Sequence, residues 1–325
     1  MVKDFMAPQK IHWIRSNGFL IGLVLAVLLA FWLPGPGSKN GILHADILNN
    51  FGIALILLMQ GVSLAFEKIK DGARHWRLHV CVQSFTFIIF PLVGLAFHFM
   101  MPLLWPSEPQ AIREGFLYLC VLPSTVSTSV VLTAVAKGNT SGALFNAAFS
   151  NILGVLVTPL LVHFLMQSTG ETGSFGPLLL KIMLLTLLPF SVGMILRNYV
   201  MDWVDLHKIW INRISNLVIL IIVYTAFCNS VEERIWQTYG FGLTGLTAGY
   251  VLLLFGIMSL LIYLSTLALH FNREDAIAAY FCGVKKTLAM GVPLALVIFG
   301  SRSDISLILL PIMLYHPVQN GELGY

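Results

Sequence analysis

Charge is what this chain has least of: 10% of its 325 residues are Asp, Glu, Lys or Arg, against 57% hydrophobic. A soluble protein carries about 25% charge. The deficit excludes a water-soluble globular protein and implies a polytopic membrane protein, long enough for roughly ten spans with short loops. Cysteine is scarce as well. Cys81, Cys120, Cys228 and Cys282 all lie in apolar runs without paired spacing, which argues against a disulfide framework and a zinc site. There is no H-E-x-x-H, no G-x-S-x-G and no carboxylate pair inside an apolar run, so the usual parts of a membrane-embedded hydrolase are missing. The small net positive charge sits in loops and carries no argument for nucleic acid.

What the chain has instead is ten apolar runs, over residues 17–34, 46–66, 78–104, 111–136, 140–167, 176–200, 208–230, 240–270, 275–300 and 303–320. They read as one integral membrane domain over residues 1–325. Basic residues gather in alternate loops. Lys3, Lys10, Arg15, Lys68, Lys70, Arg74, Arg77, Lys137, Arg197, Lys208, Arg213 and Arg273 fall on one side. Lys39, Arg113, Lys181, Arg234 and Arg302 fall on the other. Twelve against five places both termini in the cytoplasm of a plasma or bacterial inner membrane. The first run, basic at its start and followed by PGPGSKNG without an A-x-A site, reads as an uncleaved signal anchor. The tail HPVQNGELGY breaks the apolar pattern, so Asn320 onward is set aside as an altered or truncated end.

Two adjacent lysines, Lys285 and Lys286, sit in the middle of the ninth run. One ammonium there costs at least about 2.5 kcal/mol, which marks a functional centre by default. Both lie about ten residues from either end, roughly 15 Å of helix, which is too far for snorkelling to the headgroups.

The fourth and ninth runs share a grammar. The fourth reads CVLPSTVSTSVVLTAVAKGN, with Pro123 removing a backbone donor and Ser124, Thr125, Thr128 and Ser129 following. The ninth reads CGVKKTLAMGVPLALVIFG, with Gly283, Gly291 and Pro293 framing the lysines. Both are expected to break in mid-membrane, which is tolerable only where the backbone lines a cavity or is buried in protein. They stand five runs apart, and an odd repeat inserts its second copy upside down. The expected fold is therefore all-α with ten transmembrane helices in an inverted 5+5 repeat. Repeat one covers about 17–167 and repeat two about 176–320, with discontinuous helices four and nine crossing. A proline kink is the bland explanation of either Pro123 or Pro293 alone; their matched positions favour a binding site.

The run PSTVSTSVVLTAVAKGN with Asn146, Ser150 and TPLL at Thr158 to Leu161 resembles spans four and five of the bile acid:sodium symporter family. CGVKKTLAMGVPLA resembles its ninth span, and SLAFEKIKDGARHWRLHV its loop between spans two and three. The resemblance covers nearly the whole chain. It implies a panel domain of spans one, two, six and seven, a core domain of the other six, and alternating access between them.

Carried over where the sequence matches, the resemblance puts Thr128 and Ser129 on two sodium ligands at the break of span four. It puts Asn146 and Ser150 on two ligands of span five. Span nine departs: Cys282, Gly283, Val284, Lys285, Lys286 and Thr287 stand where sodium-binding members have Glu, Val, Gly, Met, Gln and Asn. The carboxylate is absent and two cations have appeared, which repel a bound sodium in a low-dielectric site. The lysine pattern resembles the divergent branch typified by the seventh member of human solute carrier family 10, which is linked to calcium regulation and glycan-related phenotypes.

The sequence thus leads to a secondary transporter of a small, anionic organic solute, not an enzyme, with no cofactor and with sodium-site chemistry replaced by Lys286. The expected partners are a small molecule and the bilayer. Lys286, aligned with a sodium-ligating glutamine, is expected to place its ammonium among Thr128, Ser129, Asn146 and Ser150. Lys285, about 100° round a helix, is expected to face the substrate cavity. Half-helix N-termini near Ser124 and Thr287 would help attract the anion. Proton coupling would need no sodium. The alternatives are a non-transporting regulator linked to cation homeostasis, a sodium-coupled bile acid-type symporter, and an intramembrane hydrolase using Ser124 or Ser129 with Lys286 as base. Gln60, Gln83 and Thr86 are candidate cavity residues. Asn216, Thr225 and Asn229 are expected to bond neighbouring helices, and His98 and His163 to sit near span ends.

Overall fold

The computed structural model describes residues 7–39, 41–63, 75–166, 180, 183–240, 242–300 and 302–320. The tail beyond Asn320, the 64–74 loop with Lys68, Lys70 and Arg74, and the start of the sixth apolar run with Lys181 lie outside the described residues. Within them the chain is all-helical, with no strand. Six helical stretches are long and apolar enough to cross a bilayer: Ala45–Ser63, Trp76–Leu104, Thr140–Leu165, Leu184–Glu232, Gly242–Ala268 and Arg273–Phe299. Two shorter apolar helices, Gly18–Trp32 and Ile305–Asn320, accompany them. Large apolar side chains such as Leu28, Leu92, Leu103, Leu252 and Leu260 are exposed along the outside. A lipid-facing surface presents this pattern, and the protein is a polytopic membrane protein.

In chain order the helices are α1 (Ala7–Trp32), α2 (Ala45–Ser63), α3 (Trp76–Leu104), α4 (Gln110–Val121), α5 (Ser127–Val135) and α6 (Thr140–Leu165). Then come α7 (Leu188–Glu232), α8 (Ile235–Tyr239), α9 (Gly242–Ala268), α10 (Arg273–Val284), α11 (Leu288–Phe299) and α12 (Ile305–Asn320). α3 contains a π-helical turn at Phe85–Ile89. Asn139 caps α6 and Asn272 caps α10, each accepting the backbone N–H three residues on.

α7 is two arms joined at Val200, whose φ of −122° and ψ of 17° leave the helical region. The arms cannot be collinear. Gly61 of α2 meets the backbone of Phe190 and Met194, while Met59 Sδ accepts from Ser215. Residues 190 and 215 would stand roughly 37 Å apart on a straight helix. The second arm then rises along α2, with Gly52 against Val218 and Asn49 Oδ1 accepting from Thr225. Gly61 and Gly193 lack the Cβ that would collide with the opposing backbone, so α2 and the first arm touch closely.

Two helices are interrupted, as expected for the fourth and ninth runs. α4 and α5 are separated by Leu122 to Val126, a gap that contains Pro123. α10 and α11 are separated by Lys285 to Thr287, and both flanking residues of that gap are extended, with ψ of 142° and 120°. Here the sequence reading needs correction. Gly283 lies in the last turn of α10, and Gly291 and Pro293 lie inside α11, so none of the three forms the break. Gly291 serves packing instead: a Cβ there would press on Ile312 and Leu122 side chains, at 2.6 and 2.7 Å.

Ion pairs tie down the ends of the interrupted helices. Glu114 of α4, 1% exposed, accepts from Arg302, which also forms a bidentate pair with Asp304 at 2.8 Å. These carboxylates favour the charged guanidinium and raise the Arg302 pKa. Asp275 of α10 accepts from Asn139 at 2.7 Å and contacts His75 at 3.2 Å. Each interrupted helix is thus held, in its first half, by the segment that follows the other.

Candidate functional site

The two gaps touch. The Thr287 N–H donates to the Pro123 carbonyl at 3.0 Å, and around that bond every backbone group released by the interruptions needs a partner, because no water is available in a bilayer to supply one. From Cys120 to Ser124 the carbonyls at the end of α4 and in the first gap are met one by one. Cys120 and Leu122 accept from the Lys286 ammonium at 3.0 and 2.7 Å, and Val121 from the Thr158 hydroxyl at 2.9 Å. Pro123 accepts from Thr287 and Ser124 from the Asn151 amide at 2.8 Å.

The second gap is met in return. The Ser129 hydroxyl donates to Phe281 O at 3.0 Å, that of Ser124 to Cys282 O at 2.7 Å, and that of Tyr315 to Val284 O at 2.7 Å. The Gln319 amide closes a reciprocal pair with Lys286, accepting its N–H and donating to its carbonyl, both at 2.8 Å.

Lys286 is 1% exposed. Its ammonium has three N–H donors and three carbonyl acceptors: Cys120 and Leu122 at the end of α4, and Thr86 at 3.1 Å in the π-helical turn of α3. The Phe90 ring caps it, its centroid 4.0 Å away, a cation–π distance. All of these partners place partial negative charge on the cation, including the C-terminal end of the α4 dipole. Among the described residues no carboxylate pairs with it.

This corrects the expected arrangement. Lys286 does not bond Thr128, Ser129, Asn146 or Ser150. Those groups close on the protein itself: Thr125 pairs with Thr128 at 2.7 Å and with Ser129 at 3.3 Å, Ser150 Oγ accepts the Ser124 N–H at 3.0 Å, and Asn146 donates to Gly142 O at 2.9 Å. Gln83, an expected cavity residue, reaches the Asn146 carbonyl at 3.1 Å. Neither Ser124 nor Ser129 bonds the lysine, so the arrangement holds no Ser/Lys dyad. Lys285 does diverge from Lys286, but because the segment is extended and not helical. Its ammonium, in a residue 2% exposed, donates to Gln319 O at 2.5 Å beside Asn320 Oδ1 at 3.4 Å.

The break of α4 and α5 at Pro123, the lysines, Thr287, Ser124 and Ser129 are brought together as the sequence suggested. Thr225 and Asn229 bond Asn49 and the Lys39 N–H, as neighbour-bonding residues should. Sequence reasoning missed Gln319, Asn151, Phe90 and Tyr315. A polar Gln319 inside a short apolar run was the available signal; the acceptor carbonyls have no side-chain signature.

Residues 17–320 match the SBF-like CPA transporter family. An uncharacterised protein of Pseudomonas aeruginosa is 38% identical over 307 residues, covering 93% of this chain and 89% of its own length. The putative symporter YfeH of Escherichia coli is 37% identical over 301 residues, with 93% and 89% covered. The sodium/bile acid cotransporter 7-B of Xenopus laevis is 30% identical over 308 residues, with 94% and 89% covered.

Proposed function

The chain belongs to the SBF-like CPA transporter family, and from that premise we propose a sodium-independent secondary transporter of a small anionic organic solute. Lys286 supplies, as a tethered ammonium, the positive charge that a coupling ion supplies elsewhere. The observation that carries this reading is the Lys286 cage: three backbone carbonyls from the end of α4 and the π-helical turn of α3, an aromatic face, and no carboxylate among the described residues. Carbonyl oxygens freed from a helix are what a hard cation seeks. An ammonium already there leaves a sodium ion facing like charge at close range.

The transport cycle we propose has ten spans in an inverted repeat. One body comprises α1, α2 and the two arms of α7. The other comprises α3 to α6 and α9 to α12, each interrupted pair counting as one span. Alternating access is a movement of one body relative to the other. The α5 and α11 N-termini beside the gaps, together with two buried lysines, favour a negatively charged solute. Both termini face the cytoplasm by the distribution of basic residues.

The 30% relative whose name joins sodium and bile acid supports a second reading, a sodium-coupled symporter using Thr128, Ser129, Asn146 and Ser150. Uptake of labelled cholate and a set of small organic anions into proteoliposomes separates the two. The proposed mechanism gives saturable uptake that is unchanged when potassium replaces sodium and is lost in Lys286→Ala. Uptake that requires sodium, or that survives Lys286→Ala, overturns it.

A further inference from the structure

A proline inside a helix leaves the carbonyl four residues earlier without its N–H. In α11 the proline is Pro293 and the carbonyl is that of Ala289, in the turn that follows the gap. The missing donor comes from another helix: the side-chain amide of Gln60 on α2 bonds the Ala289 oxygen at 3.0 Å. α2 is built for this. Gly61 seats it against the backbone of α7, and Gln60, about 100° round the helix, faces α11.

The side-chain hydrogen bonds between described residues otherwise fall into two sets. One lies within α1, α2 and α7 with their connecting segments; the other lies within α3 to α6 and α9 to α12. Two bonds cross between the sets: Gln60 to Ala289, and the Ser230 hydroxyl to Ser303 O at 2.7 Å. Ser303 lies in the segment joining α11 to α12, whereas Ala289 lies in the first turn after the gap.

We propose that Gln60 is a positioning residue of the transport cycle, a releasable tie that holds the half-helix α11 against α2 in one access state and lets go in the other. An N–H inside the helix could be released only by unwinding α11. A side-chain amide can withdraw as α2 moves, leaving the Ala289 oxygen to water entering the opened cleft. Pro293 is then the element that makes the bond transferable. The inference rests on the alternating-access reading above.

The test uses the full chain in liposomes without solute. Ile47 on α2 and Leu246 on α9, 72% and 52% exposed, are replaced by cysteine and spin-labelled; the four native cysteines are buried. Double electron–electron resonance then reads the distance distribution. Loss of one net hydrogen bond shifts a two-state ratio about twofold to tenfold, so Gln60→Leu is expected to move the ratio of two distance populations by that factor. Gln60→Glu, isosteric and without the donor when ionised, replaces it if the leucine variant does not fold.

Pro293→Ala gives Ala289 an intrahelical N–H and is expected to move the ratio in the same direction. The double variant is expected to go no further than the larger single effect. A purely structural role would broaden the distances or lower the melting temperature at an unchanged ratio. An unchanged ratio between two populations, or independent additive shifts, overturns the tie while leaving alternating access standing. A single common distance in all proteins overturns alternating access and the tie with it.

Discussion

Five residues leave the helix between α4 and α5, and three leave it between α10 and α11. The longer gap contains a proline and exposes carbonyls that donors from two other elements, α6 and the shorter gap, must reach. The shorter gap contains no proline and supplies the strongest of those donors, the Lys286 ammonium. The carbonyls of the last turn of α10 before it, Cys282 and Phe281, are met in return by the hydroxyls of Ser124 in the longer gap and Ser129 in the first turn of α5. A membrane protein can in this way keep two interrupted backbones in contact. The hydroxyl-rich gap and the cationic gap are complementary, and each uses up the other's unpaired groups.

If the gaps are complementary in this sense, substitutions on the cationic side should cost more than those on the hydroxyl side. Lys286→Met leaves three buried carbonyls unmet at about 1–3 kcal/mol each, offset in part by relief of ammonium desolvation. A net loss of about 3 kcal/mol is expected, read as a lower melting temperature in detergent. A variant as stable as the wild type would mean that these carbonyls do not depend on the ammonium.

Gln319→Leu comes next. It orphans the N–H and the carbonyl of Lys286 together, and about 2 kcal/mol is expected. On the hydroxyl side, Ser124→Ala should cost about 1 kcal/mol, through the buried Cys282 carbonyl. Thr128→Ala should cost less than about 1 kcal/mol, since its partner Thr125 is another hydroxyl that retains Ser129. An inverted order, with Thr128 more sensitive than Gln319, would mean that the hydroxyl side holds something the protein's own bonds do not account for.

Much of this was readable in the residues. Pro123 announced the first gap because a missing N–H has a fixed local consequence, and two lysines in an apolar run announced the second because their burial is costly. The framing glycines and Pro293 misled. A proline five residues into α11 is tolerated when a neighbour such as Gln60 supplies the donor, and that neighbour lies 229 positions away in sequence. The lysine's partners are not the side-chain oxygens that the sequence suggests, because backbone carbonyls and the π-helical turn at Phe85–Ile89 carry no signature in residue type. Gln319 lies in a tail, HPVQNGELGY, that breaks the apolar pattern and hides its role, and the bend at Val200 has no proline or glycine to announce it.

Whether the ammonium of Lys286 stands in place of a coupling cation is read from the melting temperature of the purified protein in sodium and in potassium at equal ionic strength. A ligand at a hundred times its dissociation constant stabilises a folded protein by about 2.7 kcal/mol. If the ammonium fills that role, the wild type melts at the same temperature in both salts, and sodium stabilises the protein specifically only once Lys286→Gln places a neutral ligand in the carbonyl cage. Sodium-specific stabilisation of the wild-type protein would contradict that role.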